Sequence, residues 1–329
     1  MDLSKINWKQ LASQSGIPLL ILVVLCFLPL YGWAYGVTLF TYFLLYIILT
    51  VSWVIFSGTT GYISLATAAF YGLGIYTAAI YYPSLGNHLP LIVVVLIGAA
   101  ASFIVAFIVG AITLRLRGIY FAMFTFGLVL LIQEVIKWIE VDFNHRYLRT
   151  ILIVSNETIY YYLLGIAVVT IIAAYLIKRS KFGLALQSIG ENEEAAVHMG
   201  INVTMVKILT FAVSAIFMGA AGVIMATRLT TVDPDQAFNA FMSFKPALMA
   251  IFGGMMNFYG PVIGAVIFSY MEEVLSTAHW FGIGWGDFYK IIFGVILVAT
   301  ILFLPNGLMG LIQNLWRRIK GVRRASAGG

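Results

Sequence analysis

Residues 91–118 read LIVVVLIGAAASFIVAFIVGAITLRLRG. From Leu91 to Leu114 there is no charged side chain, and then Arg115 and Arg117 arrive together. An α-helix rises about 1.5 Å per residue, so about 20 apolar residues cross a bilayer's hydrocarbon core. A membrane-spanning strand would alternate apolar and polar residues with period two, and this run does not. The stretch predicts a transmembrane helix over 89–114 that ends on a pair of interfacial arginines.

The pattern repeats along the chain. Of 329 residues, 62% are hydrophobic and 10% charged. A soluble domain of this size would be about a quarter charged. The sequence predicts an all-α, polytopic transmembrane helical bundle with about ten membrane segments, at 17–35, 37–57, 59–82, 89–114, 119–139, 159–178, 204–227, 244–258, 260–279 and 287–305. The segment at 244–258 is short and glycine-rich, which suits a half-helix or re-entrant piece. No soluble domain interrupts the series, so 1–329 reads as one membrane domain.

The net charge of +6 does not point to nucleic acid, because the basic residues flank the apolar runs. Lys5 and Lys9, Arg115 and Arg117, Lys178, Arg179 and Lys181, and the cluster Arg317, Arg318, Lys320, Arg323 and Arg324 all fall on one side. The excess of Lys and Arg on cytoplasmic loops makes that side the cytoplasm, with both termini there. His145, Arg146 and Arg149 run against the trend in the predicted outer loop. Residues 1–16 read as a cytoplasmic N-terminus and the first apolar run as a retained helix, since it lacks a cleavage site. The basic tail at 313–329 is either a frayed end or a contact with anionic membrane lipid. The lone Cys26 allows no intrachain disulfide, and no metal-ligand spacing occurs.

Within this charge-poor chain, SIGENEEAAVHMGI at 188–201 forms a polar island. Asn192 suits an N-cap, and Glu193 and Glu194 suit the positive end of a helix dipole. Ala195 and Ala196 favour helix, and Gly200 suits the left-handed residue that closes one. A helix this short is not stable alone in water, so it must dock. It has two candidate seats, its own membrane helices or a separate cytoplasmic partner.

Three further stretches carry pattern. In GTTGYISLATAAFYGLGIYTAA (58–79), Ser64, Ala68 and Gly72 recur every four residues, with Gly61, Gly74 and Tyr76 nearby. Such a small-residue stripe either packs helices closely or faces a solute path. In LRLRGIYFAMFTFG (114–127), the arginines anchor the helix, and Tyr120 and Thr125 lie where they would line a path. In MAIFGGMMNFYGPVIGAVIF (249–268), Gly253, Gly254, Gly260, Pro261 and Gly264 break helix inside apolar sequence. Broken backbone at membrane depth needs protein or a wet cavity around it, so this is either part of a translocation path or a tight turn at the membrane face.

Taken in order, these four motifs resemble those of the branched-chain amino acid ABC transporter permeases, the larger M-type subunit in particular, over roughly residues 40–310. FLPNGLMGLI (303–312) resembles the family's C-terminal end. The resemblance implies an ABC importer permease fold in the inner or plasma membrane of a prokaryotic cell. It implies that the 179–203 loop, through Glu191, Asn192, Glu193, Glu194, Ala195, Ala196 and Gly200, seats in an ATPase subunit. Two such ABC ATPase subunits, a second related permease making a heterodimer, and an extracytoplasmic solute-binding protein are the implied partners. The solute would be a branched-chain amino acid or a similar small polar solute such as urea or a short amide, and the chain would need no cofactor. One departure is EVDFNHRYLRTILIVSNET at 140–158, where the family commonly carries a Gly-Gly-x-Gly-Gly stretch.

Two other function classes compete with this reading. An ion-coupled secondary transporter would use intramembrane carboxylates, for which Glu134, Glu272 and Glu273 are the candidates. A membrane enzyme finds little support. His88, His145, His198 and His279 are scattered, and no Gly-Lys-Ser/Thr phosphate loop occurs.

Overall fold

A computed structural model describes residues 23–31, 34–83, 89–116, 118–145, 147–255, 257–277, 294–295 and 307–310. The N-terminal segment 1–16, the tail 313–329, the predicted helix 287–305 apart from 294–295, His88, Arg117, Arg146 and His279 lie outside the described residues.

The elements are helical almost throughout. Helix α1 (Ala34–Trp53) continues through a π-helical turn at Val54–Gly58. It is followed by α2 (Thr67–Tyr81), α3 (Leu91–Thr113) and α4 (Ile119–Trp138), which runs on through a second π turn at Ile139–Phe143. Then come α5 (Asn156–Arg179), α6 (Lys181–Glu191), α7 (Glu193–His198) and α8 (Val203–Ala226). A four-residue helix α9 (Pro234–Ala237) leads to α10 (Phe241–Gly253) and α11 (Gly260–Thr277). The starts follow from side chains that take up orphan N–H groups: Ser155 receives Thr158 N–H, Asn202 receives Met205 N–H, and Asp233 receives Gln236 N–H ahead of Pro234.

Five of the described helices are long and apolar enough to cross a membrane: Ala34–Gly58, Leu91–Thr113, Ile119–Phe143, Asn156–Arg179 and Val203–Ala226. The polytopic all-α reading holds, and the expected count of about ten is not reached among the described residues. Helices α2 and α10 have 15 and 13 residues, which gives about 22 and 20 Å at 1.5 Å per residue. Each is shorter than the roughly 30 Å hydrocarbon core.

Helices α1 and α8 are largely buried, while α3, α4 and α5 keep broad apolar faces exposed. On α3 the exposed side chains Ile92, Leu96, Ile104, Ile108 and Ile112 recur mostly at intervals of four, the face lipid would cover. The inner face of the bundle is built on glycine. A Cβ on Gly74 would lie 2.0 Å from the carbonyl oxygen of Gly219, and one on Gly222 would lie 2.1 Å from that of Tyr71. Helices α2 and α8 therefore meet backbone to backbone, and Gly219 likewise lies against Ser102 and Gly98 of α3. Lipid supplies no hydrophobic drive for helix pairing, so such close van der Waals contact holds the bundle.

At the far end of α8 from α7, the strand β1 (Arg149–Thr150) pairs antiparallel with β2 (Thr231–Val232), Arg149 opposite Val232. Here one of the three basic residues that run against the topology trend, Arg149, finds a carboxylate partner. Arg149 meets Glu140 with Nη2 to Oε1 at 2.8 Å, and Lys137 meets Asp235 at 3.2 Å. A basic residue neutralised by a carboxylate in the same loop cluster weighs little as a topology signal.

Two expectations fail locally. The predicted helix 59–82 begins only at Thr67, with Gly61–Ala66 in irregular backbone, so Ser64 shares no helical stripe with Ala68 and Gly72. The 179–203 loop contains the eleven-residue helix α6 ahead of the short one that the sequence predicts.

Candidate functional site

The polar island folds as its residues suggest. The Asn192 carboxamide oxygen accepts the N–H groups of Glu194 (3.0 Å) and Ala195 (3.1 Å). At the other end Gly200 sits at φ +81°, a left-handed conformation that favours glycine. Gly200 N–H returns to Val197 O at 2.9 Å and Ile201 N–H to Ala196 O at 3.1 Å, the paired closing bonds of a Schellman motif. Buried Ala196 packs with Ile189 of α6 and Val203 of α8. Docking on the chain's own helices is thus one seat of α7. Its other face, with Glu194, Ala195, Val197 and Met199, is exposed.

Helix α6 lies close to the bundle. Ser180 caps it by accepting Gly183 N–H, and Gly183, Leu186 and Ile189 form its buried face. A Cβ on Gly190 would stand 2.4 Å from Thr59 O, at the end of the α1 helix.

The irregular stretch Gly61–Ala66 is held by side chains rather than by a helix ladder. Trp53 Nε1 donates to Ser64 O at 2.7 Å, Ser64 N–H donates to Ser57 Oγ at 3.2 Å, and Leu65 N–H donates to Thr125 Oγ1 at 3.0 Å. Gly61 has φ +75° and open space where a side chain would be. These partners satisfy backbone groups that the broken helix leaves unpaired at membrane depth.

The second broken stretch is a hairpin. Gly254, at φ +97°, ends α10, and α11 starts at Gly260. A Cβ on Gly253 would lie 2.0 Å from Gly260 O, one on Gly260 would lie 2.1 Å from Gly254 O, and one on Gly264 would lie 2.1 Å from Met249 O. Pro261 is buried at the start of α11.

Three motifs converge on one cavity of about 580 Å³. Gly61 and Ile63 line it from the first break, Asn257 and Pro261 from the second, and Gln187 and Glu191 from α6. Its apolar wall includes Val51, Ile171 and Ile251. The fourth motif reaches the same region through the bond from Leu65 to Thr125.

Other candidates lie elsewhere. A Cβ on Gly72 would strike the Phe238 ring at 2.4 Å, so Gly72, like Gly74, sits in close contact with a neighbouring element. Ala68 is buried, and its N–H donates to Ser243 Oγ at 3.1 Å. Tyr76 is buried and stacks on Phe238 with ring centroids 5.6 Å apart. Tyr120 is exposed on the surface of α4, away from the cavity. Among the described residues no group of three or more His, Cys, Asp or Glu lies together as a metal site would need.

Two lysines inside apolar helices were missed by the sequence reading. Lys207 of α8, 3% exposed, pairs with Glu193 of α7 at 2.9 Å. Lys245 of α10 is buried and bonds to Tyr46 Oη at 2.9 Å and to Glu272 Oε1 of α11. Glu273 accepts from Tyr35 Oη at 3.3 Å, and Glu134 is exposed. A lysine within an apolar run such as VTMVKILTF is itself a sequence signal, because burying its charge requires a partner.

The sequence profile of the family described as "Branched-chain amino acid transport system / permease component" matches residues 35–301. The high-affinity branched-chain amino acid transport system permease protein LivM of Salmonella typhimurium is 26% identical over 309 residues, covering 83% of this chain and 70% of the relative. LivM of Escherichia coli K12 is 26% identical over 301 residues, covering 81% and 68%. The L-arabinose ABC transporter permease protein AraH of Azospirillum brasilense is 26% identical over 138 residues, covering 40% and 39%. No solved structure matches the chain.

Proposed function

The chain belongs to the branched-chain amino acid transport system permease family, and from that premise we propose that it is the membrane subunit of an ABC importer that carries branched-chain amino acids or a similar small polar solute. It is a transport subunit rather than an enzyme. ATP hydrolysis then belongs to two separate ATPase subunits, solute delivery to an extracytoplasmic binding protein, and half of the pore to a second, related permease. The membrane is the plasma membrane of a prokaryote, with 179–203 and both termini on the cytoplasmic side.

The observation that carries the reading is the meeting of Gly61, Pro261 and Glu191 on one cavity beside α7. A short helix at the edge of a membrane bundle, with Val197 and Met199 exposed beside Glu194 on its outer face, suits a groove on a separate subunit. Nucleotide-driven movement of that subunit can bias the bundle only through differential contact with its two states. Helix α7 is where such contact would be made.

The rival carrier reading relies on Glu134, Glu272 and Glu273. Glu272 is already paired with Lys245, and Glu134 lies on an exposed face. The test is gentle affinity purification from the native membrane. An ATP-binding subunit should accompany the chain and be lost when Glu193–Ala196 is replaced by a Gly/Ser stretch. A chain that purifies only with itself and moves solute without ATP would overturn the proposal.

A further inference from the structure

We propose that Tyr62, Glu193 and Lys207 form a latch through which α7 moves the broken segment Gly61–Ala66, an inference that rests on the importer reading and adds to it the residues that carry the motion. The three side chains close a triangle. Lys207 Nζ lies 2.9 Å from Glu193 Oε1, Tyr62 Oη donates to Glu193 Oε2 at 2.6 Å, and Lys207 Nζ donates to Tyr62 Oη at 3.2 Å. The ammonium also stands 4.4 Å from the centre of the Tyr62 ring, and Phe121 of α4 meets the same ring edge-on at 5.7 Å.

Each corner belongs to a different part of the molecule. Glu193 is in the first turn of α7, Lys207 lies about one turn into α8, and Tyr62 lies within the segment that replaces the start of α2. Helix α7 has six residues and only Ala196 buried, so its apolar attachment to the bundle is slight. The latch supplies a strong attachment in its place. Lys207 and Tyr62 are both buried, and charge-assisted bonds away from water are stronger and more directional than exposed ones.

The segment at the other end of the latch is built to shift. Its backbone bonds run to the side chains of Ser57, Trp53 and Thr125 and not to a continuous helix ladder. Gly61 stands directly before Tyr62 with a left-handed backbone and open space around it. Gly61 and Ile63, the two neighbours of Tyr62, both line the cavity. A displacement of α7 against α8 must therefore break the triangle or carry Tyr62 with it. In the second case the cavity wall moves.

The test uses the assembled complex in proteoliposomes and reads solute uptake and ATP hydrolysis together. Tyr62→Phe removes the hydroxyl that joins the triangle and keeps the ring against Phe121. It should leave assembly intact and lower the uptake per ATP hydrolysed by at least tenfold. Lys207→Met should do the same, and the exchange Glu193→Lys with Lys207→Glu should recover part of the ratio lost by either single change. Tyr62→Phe and Lys207→Met complexes with an unchanged ratio would overturn the latch, as would variants whose only defect is a smaller folded fraction with normal coupling. If Lys207→Met fails to fold, Tyr62→Phe and the exchange decide. A wild-type chain that never assembles with an ATPase overturns the importer reading and the latch with it, whereas a coupled wild type with coupled variants overturns the latch alone.

Discussion

Replacing Gly74 by alanine tests whether the glycine stripe of α2 packs the bundle or lines a path. The added Cβ would stand 2.0 Å from Gly219 O, 2.9 Å from Gly219 C and 3.0 Å from Val223 N. All three are backbone atoms, so no side-chain rotation relieves the clash. The α2–α8 pair would have to part by about 1 Å to restore the 3.0 Å that real Cβ contacts keep. That movement loosens a glycine seam where Gly98, Gly219 and Gly222 also lie. Overpacking of this kind costs about 1–3 kcal/mol, and rigid backbone on both sides places Gly74→Ala at the upper end. The assay is denaturant-induced unfolding of the purified protein in detergent, with Gly127→Ala as internal control. Gly127 is helical and exposed with nothing near its added Cβ, so its replacement should be neutral or stabilising by up to about 1 kcal/mol. A Gly74→Ala protein as stable as wild type but defective in uptake would refute the packing argument and return Gly74 to the path.

Three further outcomes are expected. Lys245→Met leaves the Glu272 carboxylate buried without its cation and should destabilise by about 3–5 kcal/mol, while adding Glu272→Leu should recover much of the loss; equal losses in single and double variants would show that the pair is not the cause. Bonds from Tyr147, Gln133 and Lys137 hold the Asp235 carboxyl below its ordinary value of 3.8, so its stabilisation is fully present above pH 3.8 and lost as pH falls through the lower native value. The stability difference between wild type and Asp235→Asn should therefore close on acidification, and a difference unchanged between neutral pH and pH ~3 would contradict it. Gly200→Val forces a β-branched residue to φ +81°, at about 1–2 kcal/mol, and should open the closing turn of α7. Insertion into the membrane should survive and uptake per ATP should fall, and normal coupling would count against α7 as a joint.

How much was legible depended on how local the cause was. The long spans follow from apolar runs read residue by residue, and α3 was placed within two residues. The short helix was legible because Asn192 and Gly200 act on their own neighbours. Helix α6 was missed although Ser180 and the spacing of Gly183, Leu186 and Ile189 signalled it, since the polar island beside it drew the reading. The break at Gly61–Ala66 was not legible, because Trp53 and Thr125 hold it from other helices and the residues themselves look like helix. Gly72 and Gly74 show a further limit. A small-residue stripe has the same pattern whether it meets a solute or a backbone, and only the 2.0 Å approach to Gly219 separates the two. Arg149 of the outer loop shows the same limit, since the Glu140 carboxylate that pairs with it sits in the π turn after α4 and the pairing is a tertiary contact.

The central claim is that this chain moves a solute only when an ATPase drives it. The most direct measurement is uptake into proteoliposomes carrying the purified complex, with leucine, isoleucine, valine, urea and L-arabinose offered in turn, with and without ATP on the side of α7. The account predicts uptake of at least one solute that requires ATP and is abolished when Glu193–Ala196 is replaced by a Gly/Ser stretch. Uptake by the chain alone, independent of ATP and untouched by that replacement, would contradict it.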